Sequence, residues 1–180
     1  GLTCGMVKLW STASGACLHT CFDEYLNSGY VSSVSFSPDG RTVLAGSRNS
    51  PEDVTIWSVE SGTCLSTWSK FGDVLTVAFS PDGAMVSAGS VQGDVQVWSV
   101  ESGKSLRRFS ASAHRRAVKT LAFNMDGKTF WTGSAQGIFR LWSLDSGAKK
   151  PLLTCFEQLG TIDSEDYLIQ ALSPDRKTVL

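Results

Sequence analysis

The chain has 180 residues, enough for one ordinary domain with a sizeable core. Its 42% hydrophobic and 18% charged residues and its formal net charge of -1 fit a globular class and exclude a global pull toward nucleic acid or an anionic membrane. No apolar run approaches the roughly 18 residues a membrane-spanning helix needs, and no signal peptide is expected.

Taken in chain order, the first period-two segment is Met6–Trp10, where Val7 and Leu9 alternate with Lys8. A Ser-Gly turn (Ser14-Gly15) then leads to an outer strand carrying His19. A β-rich segment, Tyr30–Phe36, runs into Ser37-Pro38-Asp39-Gly40, where Pro suits a φ near −65° and Gly the last position of a type I turn. The following strand ends in Ala45-Gly46-Ser47; glycine inside a strand marks the close approach of a neighbour. The connection Arg48-Asn49-Ser50-Pro51-Glu52 is two residues longer than its counterparts and precedes Val54–Trp57 and an outer strand ending at Trp68. The same succession returns as Val74–Phe79, the turn to Gly83, Ala88-Gly89-Ser90, Val95–Trp98 and an outer strand ending at Phe109. It returns again as Val118–Phe123, the turn to Gly127, Thr132-Gly133-Ser134 and Ile138–Trp142. A long acidic connection, Glu157 to Asp166, leads into a last segment containing Leu172-Ser173-Pro174-Asp175-Arg176.

Two patterns therefore keep one period. W-S-x-x-S-G begins at Trp10, Trp57, Trp98 and Trp142, with spacings of 47, 41 and 44 residues. F-S-P-D-G begins at Phe36 and Phe79 and recurs in altered form at Phe123 and Leu172, with spacings of 43, 44 and 49. Each period holds four antiparallel strands: a before the Pro-Asp-Gly turn, b after it, c ending at Trp, and d after Ser-Gly. The tryptophan shares parity with the polar residues of strand c, so both faces of each sheet need cover, which radial stacking of neighbours provides.

The F-S-P-D-G turn, the A-G-S strand end, the V-x-V-W strand and the Ser-Gly turn together resemble the WD-repeat family across essentially the whole chain. The resemblance implies an all-β fold, a β-propeller of four-stranded antiparallel blades, with about four blades' worth present. The expected organisation is a partial blade at 1–22, blades at 30–69, 73–110 and 116–156, and a partial blade at 167–180. Seven such blades would take about 300 residues, so the segment, which begins at Gly1 and ends strand-like at Leu180, is expected to belong to a longer chain and a larger ring. The alternative is that the terminal strand pairs join into a fourth blade.

The departures carry information. The name-giving dipeptide is Trp-Ser at every site, the Gly-His before strand a survives only as Ala113-His114, and Gln92 and Gln136 stand where the b–c turn usually has Asp. The family's hydrogen-bonded tetrad could be approximated in one blade only, by His114, Thr132 or Ser134, Gln136 and Trp142. Trp10, Trp57, Trp98, Trp142 and His114 are thus expected in structural roles.

No nucleophile elbow, phosphate-cradling glycine loop or H-E-x-x-H occurs, so no enzymatic activity is expected. Five cysteines without a Cys-x-x-Cys pair, and two histidines, give no metal site. The thiols are expected reduced and mostly buried in an intracellular protein, cytoplasmic or nuclear, with a disulfide as the alternative. Trp68 and Phe109 are expected to be exposed covers of blade edges. No cofactor, small-molecule ligand or membrane span is expected, and nucleic acid is not a favoured partner.

The resemblance implies a scaffold for other proteins or peptides that binds through the d–a and b–c loops. By position these give Tyr30, Arg48, Asn49, Phe71, Asp73, Gln92, Arg115, Arg116 and Gln136. Arg107, Arg108, Arg115, Arg116 and Lys119 form the sharpest charge feature, and the alternative function is capture there of a phosphate-rich ligand, a phosphoinositide or nucleic acid. Arg107-Arg108-Phe109-Ser110 also matches a basophilic phosphorylation site. A third expectation is a regulatory propeller attached to a signalling enzyme.

Overall fold

The computed structural model describes residues 6–21, 29–50, 53–109, 116–145 and 150–156. These residues contain strands and turns and no helix. A two-stranded sheet pairs β1 (Val7–Trp10) with β2 (Cys17–Cys21). Three four-stranded antiparallel sheets follow. The first orders β3 (Tyr30–Phe36), β4 (Thr42–Arg48), β5 (Val54–Ser58) and β6 (Cys64–Trp68). The second orders β7 (Val74–Phe79), β8 (Met85–Ser90), β9 (Val95–Ser99) and β10 (Ser105–Phe109). The third orders β11 (Val118–Phe123), β12 (Thr129–Ser134), β13 (Ile138–Ser143) and β14 (Leu153–Phe156). Every neighbour in a sheet is its neighbour in sequence, so each sheet is a meander that starts at one long edge and ends at the other: a propeller blade.

Blades stack through their inner strands. β7 packs on β3 and β4, and β11 packs on β7 and β8. Glycine sets the closeness of this seam: a Cβ on Gly46 would lie 2.5 Å from Val74 Cγ1, and one on Gly89 2.6 Å from Val118 Cγ1. Hydroxyls fasten it further, Ser32 Oγ donating to the Val74 carbonyl at 2.6 Å and Ser33 Oγ accepting from Val77 N–H at 3.2 Å. The core is accordingly not inside a sheet but between sheets. Leu44, Val54 and Ile56 of one blade pack with Val74, Val77, Phe79 and Trp98 of the next. Val95, Val97 and Phe109 do the same with Leu121, Phe123 and Trp142.

Each strand-c tryptophan thus faces the blade that precedes it. This direction explains why Trp10 departs from its expected structural role. It is 57% exposed, whereas Trp57, Trp98 and Trp142 are buried, because no blade precedes β1 among the described residues. Phe36 is likewise 60% exposed where its equivalent Phe79 is 9%, since β1–β2 offer it no strand b. Trp68 and Phe109 depart in the other direction. Both are buried against the next blade's tryptophan, with ring centroids 5.9 Å apart for Trp68–Trp98 and 4.8 Å for Phe109–Trp142. The thiols also differ from expectation: Cys21 is buried, but Cys17, Cys64 and Cys155 are exposed.

The turns at the lower end, between a and b and between c and d, satisfy themselves. Gly40, Gly83 and Gly127 adopt φ of +70°, +73° and +64° after a Pro-Asp or Met-Asp pair. Asp39 and Asp82 each accept from a serine hydroxyl at 2.6 Å and a backbone N–H at 3.0 Å. The serine bonds, then the backbone bonds, hold both carboxyls below the usual range. Burial raises Asp126, but donors from Thr129 and Lys128 outweigh it and its carboxyl also falls. In the c–d turns, the serine after each tryptophan accepts from the N–H three residues on: Ser11 from Ser14, Ser58 from Ser61 and Ser99 from Ser102, each at 3.2 Å.

Two outcomes follow from this geometry. Gly89→Ala forces a methyl into Val118 and destabilises the fold by about 1–3 kcal/mol, read from the denaturant midpoint. The turn carboxyls, lowered in the folded chain, contribute stability above their unfolded value of about 3.9 and lose it as pH falls through the folded values. The unfolding midpoint therefore drops on acidification below about pH 4, and drops less in Asp39→Ala/Asp82→Ala/Asp126→Ala.

Candidate functional site

At the upper end, where strands a begin and strands b end, the d–a and b–c loops meet across blades. Asn49, held at φ +54°, donates its N–H to Asp73 Oδ1 at 2.8 Å, tying the loop after β4 to the loop before β7. The Asp73 carbonyl accepts from Val91 N–H at 2.9 Å, and Gly72 stands beside the Gln92 amide. Tyr30 and Arg48 are direct partners in the β3–β4 register, with the guanidinium carbon 5.2 Å from the ring centroid. Tyr30 is 38% exposed, Asn49 and Gln92 are exposed, and Arg48 and Asp73 are half-buried. The structure thus joins Tyr30, Arg48, Asn49, Asp73 and Gln92 into one group. Arg116 and Gln136 are exposed at the same end of the next blade, where Ala135 N–H donates to the Ala117 carbonyl at 3.1 Å. Arg115 and His114 lie outside the described residues.

Phe71 does not present its ring as the sequence reading expected. It is 5% exposed and meets Trp98 edge to face at 5.5 Å, while Arg108 lies 5.6 Å from its centroid on another side. Its backbone is pinned as well: Asp53 Oδ2 accepts from Phe71 N–H at 2.6 Å and from Gly72 N–H at 3.2 Å. Burial pushes the Asp53 carboxyl up, against the pull of these two donors. Sequence reasoning passed over Asp53. The available signal was an aspartate four residues before Trp57 that recurs as Asp94 before Trp98.

Asp94 holds Arg108 in a 2.7 Å salt bridge, and Arg107 Nη1 donates to the Leu144 carbonyl of the next blade. The basic cluster read from sequence is therefore divided, Arg108 being engaged within its own blade and Arg107 across the joint to the next. Of the expected tetrad, Thr132 Oγ1 accepts from Trp142 Nε1 at 2.8 Å in a buried bond, while Gln136 is exposed. Among the described residues no group of three or more His, Cys, Asp or Glu side chains is placed to hold a metal ion, and no helix is long and apolar enough to cross a membrane.

The family model described as WD domain, G-beta repeat matches residues 15–50, 62–99 and 103–143, more than half of the chain. The chain belongs to the WD-repeat family. No curated protein matches it. WD repeats generally serve as protein-interaction scaffolds and are typically non-enzymatic.

The matched segments are offset from the blades. Residues 62–99 take β6 from one blade and β7, β8 and β9 from the next, and 103–143 repeat the offset with β10. The WD repeat therefore spans a joint, and the outer strand reinforces that joint with a side-chain hydrogen bond. His19 Nε2 donates to the Glu60 carbonyl at 2.9 Å, Trp68 Nε1 to the Gly103 carbonyl at 2.9 Å, and Arg107 to Leu144. Each acceptor lies in or beside the next blade's c–d turn. Because Phe71 wedges into such a joint, Phe71→Ala is expected to lower stability by about 3–5 kcal/mol. A denaturation curve measures this, and a change within about 0.5 kcal/mol, as at ordinary surface sites, would contradict the placement.

Proposed function

We propose that this WD-repeat chain is a non-enzymatic scaffold that holds partner proteins at the upper end of its blades. The observation that carries the proposal is the group Tyr30, Arg48, Asn49, Asp73 and Gln92. It lies on strand ends and loops that are tied to each other across a blade joint, with Tyr30, Asn49 and Gln92 exposed and Arg48 and Asp73 half-buried. Such a surface is largely pre-organised, so binding loses little ordering entropy. Polar loop side chains around one aromatic ring suit protein recognition better than capture of a small ligand. The divided Arg107–Lys119 cluster gives less support to a phosphate-rich ligand. An intracellular location belongs to the same proposal, supported by the exposed free thiols Cys17 and Cys155.

Site-specific photo-crosslinking tests this reading. A crosslinker at Gln92 or Gln136 is expected to trap a defined set of proteins that one at Glu60 or Glu101, at the lower end, does not. Equal capture from both ends would sink the assignment. Tyr30→Ala/Gln92→Ala should reduce the trapped set while changing stability by no more than about 0.5 kcal/mol.

A further inference from the structure

The two ends of the blades differ in charge, and the difference names a chemistry for the partner. The lower turns carry Asp39, Glu60, Asp82, Glu101, Asp126 and Asp145 against Arg41, Lys104, Lys128 and Lys150 among the described residues. At the upper end, Asp53 is buried on the Phe71 and Gly72 amides, Asp94 is paired with Arg108, and Asp73 already accepts from Asn49. Among the described residues this leaves Arg48, Lys70, Arg116 and Lys119 with only Asp73 to offset them. The salt bridges Arg108–Asp94 at the upper end and Lys128–Asp145 at the lower end involve none of these four.

Arg48 is the most prepared of them. Its guanidinium is stacked over Tyr30, and its Nε is buried without an acceptor. A cation whose orientation is fixed before binding is poised for a carboxylate at its outer guanidinium nitrogens. Lys70 is exposed in the loop that carries Asp73, and Arg116 is exposed one blade further on, so the positive side chains extend along the same end.

We infer that the upper end takes an acidic segment of a partner protein, with a carboxylate on Arg48 beside Tyr30 and further acidic side chains toward Lys70 and Arg116. The inference rests on the scaffold reading and specifies its partner. Attraction between exposed charges is screened over about 8–10 Å at physiological salt, so binding must weaken with ionic strength while the Arg48 anchor persists.

Fluorescence anisotropy of the whole chain with a labelled hexaglutamate peptide, at about 50 and about 200 mM salt, tests it. The expected result is saturable binding that weakens several-fold at the higher salt. It should weaken about tenfold in Arg48→Ala, and as much in Lys70→Glu/Arg116→Glu, whose exposed positions leave folding intact. Lys104→Ala/Lys128→Ala at the lower end should bind as the parent does. The inference is overturned if hexalysine binds as well as hexaglutamate, if both upper-end variants match the parent, or if a short DNA duplex displaces the peptide at lower concentration. If crosslinks from Gln92 and Gln136 persist while hexaglutamate binding is absent, the scaffold stands and only its acidic partner falls. If those crosslinks are absent too, both fall.

Discussion

Everything else in this structure depends on one constraint: a four-stranded sheet that is apolar on both faces cannot be stable alone. Valines of strand a enter the space left by strand-b glycines of the neighbouring blade, Val74 at Gly46 and Val118 at Gly89. That approach brings the backbones close enough for hydroxyl bonds such as Ser32 to Val74, and it leaves room between the outer strands for rings. Small residues on the inner side and large aromatics on the outer side make a wedge-shaped seam. A wedge repeated along a chain turns successive sheets about an axis, which is how local packing becomes a propeller.

The hydrogen bonds that remain are arranged to protect this seam. The family's dipeptide is Trp-Ser here, and the serine caps an N–H inside its own turn. Where strand b offers Thr132, the buried indole N–H of Trp142 has an acceptor; Ala45 and Ala88 occupy the same position in the other blades and provide none from that site. The outer-strand bonds from His19, Trp68 and Arg107 compensate across the joint rather than within a blade. They use three different side chains to reach equivalent regions. What is repeated is therefore the geometry of the joint, not the identity of the donor.

This explains which features the sequence disclosed. Period-two alternation, the Pro-Asp-Gly turns and the recurring tryptophans all express local backbone requirements, and they revealed the strands and their order directly. Burial at a joint depends on which blade a side chain faces, and that is not a local property. Trp68, Phe109 and Phe71 look like solvent-side aromatics at strand ends or in a loop, yet each closes on a tryptophan of a blade whose position the strand pattern alone does not supply. Trp10 fails for the converse reason, carrying the repeat's signature without a preceding blade among the described residues to cover it. The surface site was legible as a set of loops. Its internal ties, Asn49 to Asp73 and Arg48 over Tyr30, required coordinates because they link residues 24 and 18 positions apart.

The same logic separates the two ends of the blades. In the lower turns Asp39, Asp82 and Asp126 are occupied by donors of their own turns, so the sequence there is held to a narrow pattern. The groups there that accept from the preceding blade are backbone carbonyls. Upper loops bond to loops of the next blade through the Asp53 and Asp73 carboxylates and backbone N–H groups, and these ties leave the neighbouring side chains free to vary. β4 and β5 keep their pairing, from Thr42 opposite Ser58 to Gly46 opposite Val54, although the connection between them is longer than its counterparts. Recognition chemistry can therefore change at the upper end at little cost to folding, whereas a comparable change at the lower end would first break a turn. A propeller of this kind has a structural reason to bind from one end.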